Sequence, residues 1–216
     1  MRVFDLETVD ADGAIEETSG EAMTRNDAVR RAVTFGGAFL GGGALLGLLA
    51  PGAKAASLSK GDVAILNYAL TLEYLEATFY TEAQANLNLT GELAVFTRVV
   101  RAHESAHVNI LRTVLGRKAV KKPKFDFQGT TRDVAKFRAT SQLLEDTGVA
   151  AYKGQAGRVK SHSVLVSALS IHAVEARHAG WIRAINGAAP APDAFDKPLT
   201  MKQVLAAVAK TKFIAG

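Results

Sequence analysis

One four-residue device occurs twice in this chain. "HESAH" at 103–107 and "VEARH" at 174–178 both contain Glu-x-x-His, as Glu104 with His107 and Glu175 with His178. Each copy follows a second shared signature. "LEYLEATFY" at 72–80 and "LEDTGVAAY" at 144–152 both read Leu-Glu, six residues, Tyr. Glu73 precedes Glu104 by 31 positions, and Glu145 precedes Glu175 by 30. The duplication predicts two copies of one unit. Each is a helix hairpin with a lone Glu on its first helix and Glu-x-x-His on its second.

The flanking sequence supports helices throughout this region. Apolar residues recur at three- and four-residue intervals in "AILNYALTLEYLEATFYTEAQANL", opened by a capping arrangement at Ser59-Lys-Gly-Asp62. "NLTGE" separates it from a second helix, "ELAVFTRVVRAHESAHVNILRTVLG", which stops at Gly116. A third is predicted from about Arg132 to Gln155 and a fourth from about Ser161 to Asn186. After the spacer "APAPDAFDKP", Thr200-Met-Lys-Gln203 caps a short terminal helix ending near Lys210. The four long helices contain no proline. Short links join the first helix to the second and the third to the fourth, whereas the middle connection, about 117–130, is long. That combination predicts an all-α fold, a four-helix bundle with a long crossover between its second and third helices and a short C-terminal helix. Aromatics at only 7% favour helices over a β-sandwich.

The first 55 residues have a different character. Arg30-Arg31 precede the 16-residue apolar run "FGGAFLGGGALLGLLA", and Ala53-Lys54-Ala55 forms a small-x-small cleavage site. Residues 1–55 are therefore read as an export signal, 56–190 as the bundle, and 191–216 as a spacer and short helix packed on it. The paired arginines and glycine-rich run resemble a twin-arginine signal. "RRAVTF" departs from that pattern, because of the positions two and three places after the second Arg only Val33 is apolar. The competing reading, an uncleaved anchor, is disfavoured because a spanning helix needs about 20 apolar residues. The expected location is exported, periplasmic or in the cell envelope. The absence of cysteine fits an oxidising compartment and excludes thiolate chemistry. Residues 1–55 hold five basic and eight acidic residues. The remainder then carries 21 basic against 13 acidic, a net charge of +8. The basic run "RKAVKKPK" at 117–124 reads as a solvated loop able to attract anionic envelope polymers. No recognition motif or aromatic platform accompanies the charge, so no specific nucleic-acid partner is expected.

Residues three apart on a helix share a face, so each Glu-x-x-His can reach one centre. Two hairpins packed face to face bring four carboxylates and two imidazoles into an apolar bundle. Four buried carboxylates cannot all stay charged without compensation. Two divalent cations supply it, and oxygen-rich ligation with one imidazole each suits iron or manganese.

In these motifs, and in "LNYALTLEYLEATFY" and "AFDKPLTMKQVLAAVA", the chain resembles the ferritin-like superfamily, in particular exported ferritin-like domain proteins that include desiccation-related proteins. The resemblance spans about residues 57–210. It implies a dinuclear carboxylate centre, two Fe or Mn ions per chain, with Glu73, Glu104, His107, Glu145, Glu175 and His178 as ligands. Glu76 competes with Glu73, and the repeat decides against it because Gly148 occupies the equivalent place. Similar tyrosines in the superfamily hydrogen-bond a ligating carboxylate of the opposite pair, a role that falls to Tyr80 and Tyr152. His103 aligns with Val174 and His172 with Arg101, so the repeat supports neither as a ligand. His103 reads as a surface or core-edge residue, His162 as solvated at a helix start, and Trp181 as core packing.

Three functions compete. The first is redox catalysis with peroxide or oxygen, as a ferroxidase or a peroxide-consuming, manganese-catalase-like oxidoreductase in oxidative stress. The second is a stress- or desiccation-related envelope scaffold with a structural metal site. The third is an iron-storage shell. It ranks last, because with four acids used as ligands only nine remain outside the leader to attract iron. A homo-oligomer is compatible with each.

Overall fold

The computed structural model describes residues 58–215. The predicted export signal, including its apolar run and cleavage site, lies outside them. Five α-helices follow in order: α1 Lys60–Asn86, α2 Gly91–Leu115, α3 Val134–Ala156, α4 His162–Ile185 and α5 Met201–Thr211. The fold is the all-α bundle with a long crossover anticipated above. Among the described residues, no helix is long and apolar enough to cross a membrane.

Side-chain caps set where the helices start. Ser59 accepts from the Asp62 N–H, Asp133 from that of Lys136 and Ser161 from that of Val164. At α5 the Thr200 hydroxyl accepts from the Gln203 N–H while the Gln203 side chain accepts from the Thr200 N–H, a reciprocal capping box. Helix α2 stops because Gly116 takes φ 54°, a conformation that a side chain disfavours.

Short loops make α1/α2 and α3/α4 the intimate pairs, and the two hairpins meet through α1 against α3 and α2 against α4. The crossover is pinned at two points. Early in it, the Asn67 amide of α1 donates to the Lys118 carbonyl at 2.9 Å and accepts from the Val120 N–H at 2.8 Å. Farther along, Lys124–Phe125 pairs antiparallel with Ile214–Ala215, with Lys124 opposite Ala215 and Phe125 opposite Ile214. This two-stranded clip is absent from the sequence-based reading. A two-residue strand has no periodicity to detect, and its partner lies about ninety positions away.

Two apolar clusters fill the bundle. One gathers Phe79, Tyr80, Phe96, Phe127, Phe137 and Ile182, all essentially inaccessible. The other gathers Leu66, Leu70, Val108, Leu111, Leu115 and Val164. Along α1 and α2 these clusters flank the layer that holds Glu73, Glu104 and His107. Each fully buried large apolar side chain contributes about 1.5–3 kcal/mol, whereas a buried ion costs several. The clusters therefore carry the fold past a layer that opposes it. After the proline-rich spacer, the backbone crosses α3 at Gly154, and the Leu199 N–H donates to the Ala150 carbonyl at 3.0 Å. A Cβ on Gly154 would lie 1.8 Å from the Leu199 oxygen, so no side chain fits there. This crossing seats α5 against α3.

Candidate metal centre

Each helix of the bundle contributes to one buried layer. Helix α1 supplies Glu73, α2 Glu104 and His107, α3 Glu145, and α4 Glu175 and His178. All six are buried, and the four carboxylates are 0% exposed. The structure thus brings together all six residues singled out from the sequence. They form two overlapping sets, Glu73, Glu104, His107 and Glu175 in one and Glu104, Glu145, Glu175 and His178 in the other. In each set, one donor atom per residue lies within 4.8 Å of all the others.

The two sets share Glu104 and Glu175, and the sharing is resolved oxygen by oxygen. His107 Nδ1 lies 3.1 Å from Glu104 Oε2, 3.2 Å from Glu175 Oε1 and 3.2 Å from Glu73 Oε2. His178 Nδ1 lies 3.2 Å from Glu104 Oε1, 3.2 Å from Glu145 Oε2 and 4.0 Å from Glu175 Oε2. Each shared carboxylate thus turns one oxygen to each imidazole. Five of these six separations are 3.1–3.2 Å, close to the roughly 3 Å between two donors bound at right angles about 2.1 Å from one ion.

Several of these atoms also lack other partners. Glu104 Oε1, Glu145 Oε2, both Glu175 oxygens and His178 Nδ1 are buried without a hydrogen bond. Orphaned buried polar groups are rare because each costs about 1–3 kcal/mol, more when charged. Here all of them belong to residues of the two donor sets. The donor set therefore fits a pair of cations.

Two tyrosines fix the outer oxygens. Tyr80 Oη of the first hairpin donates to Glu145 Oε1 of the second at 2.5 Å, and Tyr152 Oη of the second donates to Glu73 Oε1 of the first at 2.5 Å. Each lone Glu is thus left with Oε2 directed inward. Next to Tyr152, an apolar cavity of about 50 Å³ opens among residues of all four helices, including Leu66, Leu72, Ile110, Val164 and Ile171. It has room for a molecule the size of oxygen or peroxide.

Protons compensate the charge where cations do not. Burial, reinforced by Glu104 and opposed by His107, raises the Glu73 carboxyl to about 7. Burial, and then the Glu104 charge, pushes Glu175 well above the carboxylate range. Burial alone would raise Glu104 too, but the adjacent His107, through its charge and its hydrogen bond, holds it below that range. Burial works against charge on the imidazoles, yet the surrounding carboxylates outweigh it. They raise His107 well above its ordinary value and His178 to about 10.

Two further residues belong to this layer. Glu76 is 4% exposed. Burial raises its carboxyl well above the usual range, and the charges of Glu175, Glu145, Glu104 and Glu73 add to this in that order. It is not a member of either donor set. His103 is an exposed residue, yet its Nδ1 lies 2.8 Å from His178 Nε2 and the rings stack at 5.1 Å. Burial, and then the two neighbouring imidazoles, lowers its proton affinity, which suits Nδ1 to accept from His178 Nε2–H. A signal for both existed in the helical spacing, because Glu76 is one turn beyond Glu73 and His103 one turn before His107. The repeat sets both aside as ligands, in agreement with the donor sets, but it carries no sign of the burial of Glu76 or of the contact between His103 and His178. Elsewhere, His162 is exposed at the start of α4. Trp181 packs edge-on against Phe96 at 5.4 Å and donates to Glu92 at 2.9 Å.

Residues 61–188, more than half of the chain, match the family model described as a ferritin-like domain. No curated protein gives a significant match.

Proposed function

The chain belongs to the ferritin-like domain family, and from that premise we propose that it is an exported protein holding two iron or manganese ions for oxidative-stress chemistry. The ligands in this reading are Glu73, Glu104, His107, Glu145, Glu175 and His178. The observation that carries it is the pair of shared carboxylates, Glu104 and Glu175, each turning one oxygen toward each imidazole. An oxygen-rich donor set with one imidazole per ion suits iron or manganese and lacks the thiolates of softer sites. Such a pair, held by these six residues, would supply two-electron exchange with oxygen or peroxide.

The protein's own part is positioning and proton management. Tyr80 and Tyr152 hold Glu145 and Glu73 with their inner oxygens aimed at the centre. The apolar clusters on both sides exclude bulk water, while the cavity beside Tyr152 admits a small oxidant. His107 and His178 release protons when cations arrive and take them back when cations leave, so ligand and proton compete for the same atoms. The experiment is elemental analysis of the protein purified from its native envelope, followed by oxygen and peroxide consumption by iron- and manganese-loaded samples. Two ions per chain with oxidant consumption is the expected result. Two ions without oxidant consumption would favour the non-catalytic scaffold with a structural metal site, a reading supported by the near-complete burial of all six ligands. Fewer than two ions at saturation would overturn the centre itself.

Export rests on Arg30-Arg31, the apolar run 35–50 and Ala53-Lys54-Ala55. The mature chain then begins at Ala56 and works in the periplasm or envelope. The link to desiccation-related proteins rests on "LNYALTLEYLEATFY" and "AFDKPLTMKQVLAAVA".

A further inference from the structure

The sequence repeat makes the two hairpins near-equivalent, and the structure breaks that equivalence twice on the same side. The first break is Glu76. Its counterpart in the second hairpin is Gly148, and the missing side chain leaves a space that Glu76 enters from α1. A Cβ built on Gly148 would lie 3.5 Å from Glu76 Oε1 and 3.1 Å from Glu175 Oε2. That Glu175 oxygen is the one turned toward His178, whereas Oε1 faces His107. Gly148 itself lies one helical turn beyond Glu145. The fifth carboxyl therefore sits at the Glu145–His178 half, although its own helix supplies Glu73 to the other half. It is the only one of the five without an imidazole within 4.0 Å among the described residues.

The second break is His103, on a different helix and through a different contact. His178 points Nδ1 at the carboxylates, so its Nε2–H is free to donate outward, and His103 Nδ1 accepts it at 2.8 Å. This contact fixes the ring orientation and keeps the Nδ1 lone pair on the ligand side. Among the described residues, Nε2 of His107 makes no hydrogen bond, because the residue equivalent to His103 is Val174. Outer partners of this kind are worth about 10–100-fold in metal affinity.

We propose that the centre is built unequal: the ion held by Glu145 and His178 gains Glu76 as a further carboxylate ligand and His103 as a positioning residue for His178, and binds the tighter of the two. This rests on the dinuclear reading above and deepens it. The half with Glu73 and His107 keeps only its four donors, and so is the half that fills last and empties first.

The test is titration of the metal-free full chain with Mn(II), followed by calorimetry and by the electron paramagnetic resonance signal of free Mn(II). Wild-type protein is expected to take up two ions in two resolved steps. Glu76→Gln and His103→Ala should each weaken the tighter step by about tenfold or more and leave the weaker within about twofold. His103→Gln, which retains an acceptor, should restore most of the loss. A merely structural role would instead lower the melting temperature of the metal-free variants and move both steps together. Two ions bound in wild type with neither step altered in either variant, or with both steps weakened equally, would overturn the inequality and leave the dinuclear reading standing. Failure of the wild-type chain to bind two ions would remove both.

Discussion

At the scale of single residues, the shared carboxylates and the terminal ones have different jobs. Glu104 and Glu175 each belong to both donor sets, whereas Glu73 and Glu145 each belong to one. In the proposed dinuclear centre, replacing a shared residue would remove a ligand from two ions at once and leave the surviving ligands of both sets as buried, mutually repelling charges. Glu104→Ala and Glu175→Ala should therefore drop bound metal from two ions per chain to below one at micromolar metal. Glu145→Ala or Glu73→Ala should cost mainly the nearer ion. Elemental analysis after gel filtration distinguishes these patterns. If all four variants lost metal equally, Glu104 and Glu175 would have no bridging role. The tyrosines act one step farther out. Tyr152→Phe keeps the ring that lines the cavity and removes only the hydrogen bond to Glu73 Oε1. It should lower affinity for the ion beside Glu73 by about tenfold with little change in melting temperature. An unchanged affinity would show that Glu73 is held by packing alone.

At the scale of elements, the C-terminal segment depends on one glycine. The Leu199 carbonyl occupies the place where a Gly154 side chain would be, so Gly154→Ala must lift residues 196–200 off α3 and break the bond from Leu199 N–H to the Ala150 carbonyl. Overpacking of this kind costs about 1–3 kcal/mol. The variant should show that loss in urea unfolding while still binding two ions, because Glu145 lies more than two turns away on α3. A stability equal to wild type would mean that α5 is not seated through this crossing. The same elements show what a sequence can and cannot disclose. Caps and breakers are local, so Ser59, Gly116, Ser161 and Thr200 marked helix ends within a few residues. The six clustered Glu and His residues were legible because the repeat wrote them twice at helical spacing. The clip between Lys124–Phe125 and Ile214–Ala215, and the approach at Gly154, depend on segments far apart in the chain and leave no periodic trace. Glu76 and His103 are set aside as ligands because neither is repeated, and neither joins a donor set; the burial of Glu76 and the contact of His103 with His178 leave no trace in the duplication.

At the scale of the whole molecule, the buried layer makes stability depend on pH in opposite senses with and without metal. In the metal-free protein, Glu73, at about 7, and His178, at about 10, hold their protons more tightly folded than unfolded. Glu73 then contributes stability that is fully present below about 4.5, its unfolded value, and is lost as pH rises through about 7. The His178 contribution is fully present below about 6.5 and is lost as pH rises through about 10. Glu145 and Glu175, raised chiefly by burial, and His107, raised by its carboxylate neighbours against burial, add in the same sense. Glu104 is shifted the other way, and its contribution fails only below the ordinary carboxylate range. His103, whose proton affinity is lowered, also acts in the opposite sense, but between pH 5 and 9 the raised shifts of Glu73, Glu145, Glu175, His107 and His178 destabilise the metal-free fold as pH rises, at about 1.4 kcal/mol per tenfold difference in proton affinity. Metal at the proposed centre would reverse the slope. Its ligands must be deprotonated, so affinity climbs with pH, and saturation at a hundred to a thousand times the dissociation constant adds about 3–4 kcal/mol. Thermal melts in chelator should fall from pH 5.5 to 8.5, while melts in excess Mn(II) should rise or stay level, so the gap between the curves widens with pH. Parallel curves would mean that metal and protons do not compete for the same atoms, and the ligand assignment at Glu73 and His178 would fall.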